Sequence, residues 1–164
     1  MSNTNFYTKE TIKHFRDPHN YGEIKKPNGK GTVGNIICGD VMSLYIVVDK
    51  KKETIKEVKF KTYGCAAAIA TSSVITDLAK GKTIDQALKL SKNDVIETLK
   101  GLPPIKIHCS LLAIDALGEA IYQYLFKENK TISPDLKKRH ERIEKDKNQI
   151  EERYQKWIKP KKTG

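Results

Sequence analysis

One change of pattern constrains the fold of this chain more than any other feature, because β-type sequence before Cys65 gives way to helical periodicity after it. The strand candidates are Thr32 to Ile37, Met42 to Val48 and Thr54 to Tyr63. Since the links between them are short, an antiparallel meander is favoured. Strands followed by helices predict an α+β domain, with helices packed on one face of a three-stranded antiparallel sheet.

Helix signals occur both before and after the predicted strands in the sequence. Capping residues, apolar spacing and terminal glycines predict five helices, namely Thr8 to Phe15, Ala66 to Lys80, two short helices opened by Thr83 and Ser91, and one from Ser110 to about Phe126. The pair Pro103-Pro104 separates the last two helices, because a residue before proline disfavours the helical conformation.

A charged segment, residues 131–164, follows the predicted domain at residues 1–130. The triplet Ser133-Pro134-Asp135 is typical of a helix start. Apolar residues then recur only once per heptad, at Leu136, Ile143, Ile150 and Trp157, and this is too sparse for a coiled-coil seam. We favour a solvated helix with i,i+4 charge pairs, and docking on this chain or on a partner is the alternative.

Charge and hydropathy exclude several classes of protein. The 164 residues include 31 Lys and Arg against 20 Asp and Glu, for a net charge of +11. Basic and acidic residues alternate in the tail, so nucleic-acid binding is not favoured. No apolar run approaches the roughly 20 residues of a membrane span, and the N-terminus has no targeting pattern. We therefore expect a cytoplasmic protein without a membrane partner.

Five side chains near the predicted element boundaries could share a metal ion or a sulfur atom. The chain has three cysteines, Cys38, Cys65 and Cys109. An odd number of widely spaced cysteines argues against a disulfide framework. Cys65 and Cys109 each precede a predicted helix, whose positive end favours the thiolate. Asp40 and His108 are further donors beside them. A shared site is the interpretation we favour, and separate structural roles for the cysteines are the alternative.

Three sequence blocks carry a resemblance to a known family. They are Cys38-Gly39-Asp40-Val41-Met42, Phe60-Lys61-Thr62-Tyr63-Gly64-Cys65 and Leu102-Pro103-Pro104-Ile105-Lys106-Ile107-His108-Cys109-Ser110. In composition, order and separation they resemble the signature blocks of the IscU/NifU-type iron-sulfur cluster assembly scaffolds. The resemblance covers residues 6 to about 128.

The resemblance implies an IscU-like α+β fold and a scaffold that is not itself an enzyme. Iron and sulfur from a cysteine desulfurase would form a transient 2Fe-2S cluster, which then passes to apo iron-sulfur proteins. The implied ligands are Cys38, Asp40, Cys65, His108 and Cys109, with Cys109 as the persulfide acceptor. The site would also accept zinc, and the alternative function is a zinc-bound sulfur acceptor that relays persulfide without building a cluster.

The resemblance also implies partners. A ferredoxin-type reductant would act with the desulfurase, and a DnaK-type chaperone with its co-chaperone would dock on Leu102, Pro103, Pro104, Ile105 and Lys106. Two prolines favour an extended, exposed segment there. Tyr7 matches a tyrosine that some relatives use for dimerisation, so a homodimer is expected to involve it.

Overall fold

Three antiparallel strands form one sheet in the order β1-β2-β3. The computed structural model describes residues 6–34 and 40–158. Strand β1 is Gly29–Gly34, β2 is Val41–Asp49 and β3 is Thr54–Tyr63. The predicted meander is therefore confirmed. Strand β1 begins earlier than expected, and residues 35–37 of its predicted range lie outside the described residues.

Six α-helices complete the described part of the chain. They are α1 (Lys9–Arg16), α2 (Ala66–Ala79), α3 (Ile84–Leu88), α4 (Lys92–Thr98), α5 (Ile107–Lys127) and α6 (Pro134–Ile158). The predicted start of α5 after Ser110 is wrong, since the Ser110 hydroxyl donates to the Ile107 carbonyl within the first turn. A 3₁₀ turn at Pro104–Lys106 leads directly into α5, so His108 and Cys109 belong to the helix itself.

The core lies between one face of the sheet and helices α2 and α5. Met42, Leu44 and Ile46 of β2 are fully buried, and so are Val58 and Phe60, which pair with Ile46 and Leu44 on β3. Glycine lets α5 approach β1, because a Cβ atom on Gly31 would stand 2.2 Å from the Ala116 carbonyl oxygen. The sequence prediction missed the first residues of β1 because glycines contribute no side chain to an alternating pattern.

Other segments engage both edges of the sheet. Along β3, the Phe60 N–H donates to the Asn20 carbonyl at 3.1 Å, and the Gly22 N–H donates to the Phe60 carbonyl at 2.8 Å. On β1, the Lys30 N–H donates to Oε1 of Gln123 at 2.6 Å. These backbone donors and acceptors are therefore satisfied within the chain.

Helix α6 docks on the domain. Leu136 and Ile143 are each 4% exposed, and Arg142 donates to Oδ1 of Asp115 on α5 at 2.8 Å. Further along, Cδ1 of Ile150 lies 3.0 Å from the position of a Cβ atom on Gly34. The favoured interpretation, a solvated helix, is wrong for this face, and the docking alternative holds. The side chain of Trp157 lies outside the described residues.

Among the described residues, no helix combines the length and the apolar character needed to cross a bilayer.

Candidate metal centre

Four of the five predicted ligands come together at the termini of strands and helices. Asp40 directly precedes β2, Cys65 is the N-cap of α2, and His108 and Cys109 lie in the first turn of α5. The register pairs the first residue of β2 with the last residue of β3, which brings their flanking residues side by side. Cys38 lies outside the described residues, so its membership stays a prediction.

The donor atoms stand at short and similar separations. Sγ of Cys65 is 3.7 Å from Sγ of Cys109 and 3.7 Å from Oδ2 of Asp40. Sγ of Cys109 is 3.9 Å from the same carboxylate oxygen and 3.6 Å from Nε2 of His108. Asp40, His108 and Cys109 can each direct one donor so that the three atoms lie within 4.8 Å of one another.

These separations suit tetrahedral coordination. Two thiolates bound about 2.3 Å from one tetrahedral ion are themselves about 3.8 Å apart. The observed sulfur-to-sulfur distance of 3.7 Å therefore fits a single zinc or iron ion, and it also fits one iron of a larger cluster. The donor set mixes soft thiolates with a hard carboxylate and an imidazole, which is less selective than four thiolates.

The two described thiols differ in exposure and acidity. Cys109 is fully buried, whereas Cys65 is partly exposed. A hydrogen bond from the Cys109 thiol lowers the pKa of Cys65 to about 6, and the Ala68 backbone N–H in the first turn of α2 also favours the Cys65 thiolate. Donating this hydrogen bond raises the pKa of the Cys109 thiol, and burial raises it further. Without a metal, the first thiolate of the pair therefore forms at Cys65.

Tyr7 lies beside this site, which the sequence does not reveal. Burial raises the pKa of its phenol, the thiolate of Cys65 raises it further, and the Lys106 ammonium opposes both effects. Its hydroxyl also faces the backbone of Ala67 at the start of α2. A tyrosine predicted only as a dimer contact thus belongs to the surroundings of the donors. The sole signal in the sequence is its place just before the first helix.

The segment predicted to bind a chaperone is only partly extended. Pro103 is buried, whereas Pro104 is exposed and Ile105 is 77% exposed. Leu102 packs partly buried against the core, and Pro104–Lys106 forms a 3₁₀ turn. The expected extended conformation is therefore wrong beyond Pro103, because the turn leads into α5. Ile105 is nevertheless presented to solvent beside the site.

A second group of donors lies between α5 and α6. Nδ1 of His140 is 2.6 Å from Oε1 of Glu119, and Glu144 lies near both. Burial raises the pKa of the Glu119 carboxyl, whereas His140 and then Lys147 lower it. The sequence analysis does not identify this group. The available signal was the i,i+4 spacing of His140 and Glu144, which places them on one face of a helix.

Sequence comparison identifies the family. The sequence model described as "NifU-like N terminal domain" matches residues 6–131. This chain belongs to the NifU-like N-terminal domain family. The "Iron-sulfur cluster assembly scaffold protein IscU 1" of Archaeoglobus fulgidus is 52% identical over 124 residues, or 76% of this chain and 80% of that protein. The "Iron-sulfur cluster assembly enzyme IscU" of Drosophila melanogaster is 43% identical over 130 residues, or 77% and 83% of the two chains.

Structural comparison supports the fold of this NifU-like domain. The solved N-terminal NifU-like protein from Brucella abortus aligns with a TM-score of 0.62 at 19% identity, over 73% of this chain and 94% of that one. The predicted family and the α+β fold are thus confirmed. The matched sequence range ends at residue 131, before α6 begins at Pro134.

Proposed function

We propose that this chain is a scaffold on which iron and sulfur are assembled into an iron-sulfur cluster that is then transferred to apo-proteins. The observation that carries the proposal is the convergence of two thiols, an imidazole and a carboxylate at 3.6 to 3.9 Å in a NifU-like domain. Relatives that cover most of this chain are named for cluster assembly, one as a scaffold and one as an enzyme. We assign the chain a carrier role, with the cluster as its cargo.

The sulfur step begins with a persulfide from a cysteine desulfurase. A thiolate of this chain attacks the outer sulfur, a new S–S bond forms, and the desulfurase cysteine leaves as a thiolate. A ferredoxin-type reductant then supplies two electrons and the solvent one proton, which release hydrosulfide and restore the thiolate. Cys109 is our predicted acceptor, and because it is buried and protonated in the free protein, docking of the desulfurase must both expose it and remove its proton.

The product we propose is a 2Fe-2S cluster held by Cys38, Cys65, Cys109 and one of the two non-thiol donors. Thiolates supply most of the affinity for iron. The Asp40 carboxylate competes with them for iron and repels the negative thiolate-bound cluster. We therefore assign Asp40 the role of keeping the cluster transferable, and Asp40→Ala is expected to retain it longer.

Two partner surfaces belong to the same proposal. A DnaK-type chaperone, aided by its co-chaperone, binds the segment from Leu102 to Lys106, where exposed Ile105 offers an apolar contact. A homodimer would involve Tyr7, which lies beside the thiols.

Anaerobic reconstitution tests the scaffold proposal. The protein is incubated with ferrous iron, cysteine and a cysteine desulfurase, while visible absorption, iron and sulfide are measured. A coloured cluster is expected in the wild type and in Asp85→Ala, a control at an exposed carboxylate, and not in Cys38→Ala. Transfer to an apo-ferredoxin is expected to be slower from Asp40→Ala. Equal transfer rates from Asp40→Ala and the wild type would refute the assigned role of Asp40.

The alternative, a zinc-bound sulfur acceptor, uses the same donors and predicts a different result. Zinc has no redox chemistry and favours a closed tetrahedral set. If the chain retains zinc, forms no coloured cluster and carries a persulfide on Cys109, it relays sulfur and is not a scaffold.

A further inference from the structure

We propose that Glu119, His140 and Glu144 form a binding site for one divalent transition-metal ion between α5 and α6. The site is separate from the assembly centre, because Glu119 follows Cys109 by ten residues on one helix, which corresponds to about 15 Å along its axis. The proposal concerns the C-terminal helix beyond the family match, and it does not depend on the scaffold function.

A buried carboxylate oxygen points to the ligand. Glu119 is 7% exposed, and its Oε1 faces Nδ1 of His140 at 2.6 Å. Its other oxygen, Oε2, is buried and has no hydrogen-bond partner among the described residues. Buried carboxylate oxygens are costly when unpaired, and an ion or a water molecule is the usual explanation. A cavity of about 390 Å³ adjoins Glu119, His140 and Glu144, so the site has room for an ion with water ligands.

The three side chains can converge on one ion. Each offers a donor atom such that the three atoms lie within 4.8 Å of one another. The His140 ring stacks on Tyr122 with centroids 3.8 Å apart and planes inclined by 8°, which fixes its orientation. The Lys147 ammonium is 3.6 Å from Oε1 of Glu144 and about one third exposed, so it can turn to solvent when a cation binds.

The donor types define the class of ion. Calcium and magnesium sites are built from oxygen ligands, whereas an imidazole with two carboxylates suits manganese, ferrous iron or zinc. The three protein ligands come from both helices, one from α5 and two from α6. A bound ion would therefore hold the C-terminal helix against the domain.

Manganese binding by the full chain tests the proposal, because Mn²⁺ prefers oxygen and nitrogen donors and competes poorly for the thiols. Free Mn²⁺ is measured by electron paramagnetic resonance for the wild type, Glu144→Gln and Glu141→Gln, the last being a matched change at an exposed position of the same helix. We expect one bound ion in the wild type and in Glu141→Gln, unaffected by alkylation of the cysteines and displaced by zinc. Glu144→Gln is expected to weaken binding at least tenfold.

A thermal scan of the same proteins gives an independent readout, since an ion that binds only the folded state raises the melting temperature. Mn²⁺ is expected to raise it for the wild type and Glu141→Gln and to leave Glu144→Gln unchanged. The proposal is overturned if the three proteins bind Mn²⁺ equally, if alkylation abolishes binding, or if the wild type binds none. The last result would mean that water satisfies Glu119.

Discussion

The carboxylate of Asp40 packs against Gly64, so closely that a Cβ atom at residue 64 would stand 3.0 Å from Oδ1. The same atom would stand 2.9 Å from the Cβ of Ala68. The absence of a side chain at Gly64 is therefore what allows Asp40 to reach the two thiols.

Gly64→Ala is expected to push Asp40 away from the thiols and to slow cluster transfer. A change of roughly 1.4 kcal/mol in cluster retention would slow transfer about tenfold. Transfer to an apo-ferredoxin is measured for the single variants and for Gly64→Ala combined with Asp40→Ala. If Gly64 acts through Asp40, its substitution adds nothing in the Asp40→Ala background. A further slowing there would contradict this route.

Alkylation of the metal-free, reduced protein is expected to reach Cys65 before Cys109. Its pKa of about 6 makes it mostly thiolate at neutral pH, whereas burial and the shared proton keep Cys109 protonated. Iodoacetamide labelling from pH 5 to pH 8, followed by peptide mass spectrometry, measures both rates. The rate at Cys65 is expected to reach half its maximum near pH 6 and to exceed that at Cys109 at least tenfold at pH 7. Equal or faster labelling of Cys109 would contradict this order.

Much of the candidate site could be predicted from sequence, because its donors stand beside changes of secondary structure. Cys65 was expected to precede a helix, and it does. The contribution of Tyr7 could not be predicted, since it depends on where the N-terminal segment packs against α2. Likewise, the pairing of Glu119 with His140 requires knowledge of how α6 docks on α5.

Gly31→Ala is expected to destabilise the protein by about 3 kcal/mol, near the upper end of ordinary overpacking costs. The new methyl group would meet the Ala116 carbonyl oxygen at 2.2 Å and the Ala120 nitrogen at 2.5 Å, both of which are backbone atoms. Urea unfolding measures the loss. Lys30→Ala, at the exposed neighbouring position, is the control and is expected to change the stability by less than about 0.5 kcal/mol. Similar losses for both variants would show that close packing at Gly31 is not the cause.

Acidification below about pH 6.5 is expected to destabilise the protein partly through His14. The side chain is 8% exposed and bonded through Nδ1 to Ser73 at 2.8 Å. Burial lowers the pKa of His14 below its ordinary value of 6.5, so the unfolded chain binds the proton more readily than the folded chain does. The free energy of unfolding therefore decreases as the pH is lowered through this range. Urea unfolding at several pH values between 5 and 7.5 is expected to give a shallower pH dependence for His14→Gln. An unchanged slope would mean that other groups are responsible.

The fold was predictable where one face of an element is apolar and the other polar. Strand β3 follows this alternation, with Val58 and Phe60 buried and Lys59 and Lys61 more exposed. Helix α6 was misjudged because its apolar residues are few, although Leu136 and Ile143 fall on the contact face. Several of its contacts with α5 are charged, as in the Arg142–Asp115 pair, and charged residues alone do not distinguish a docked face from a solvated one.

The hydrogen bonds along the sheet edges have a consequence for how copies of this chain associate. Growth of β-aggregates requires an edge strand whose backbone groups are free to pair with another chain. Here the bonds between Phe60 and Asn20 and between Lys30 and Gln123 already occupy part of each edge. A second copy therefore cannot add a strand at these positions, because their backbone groups are already bonded within the chain.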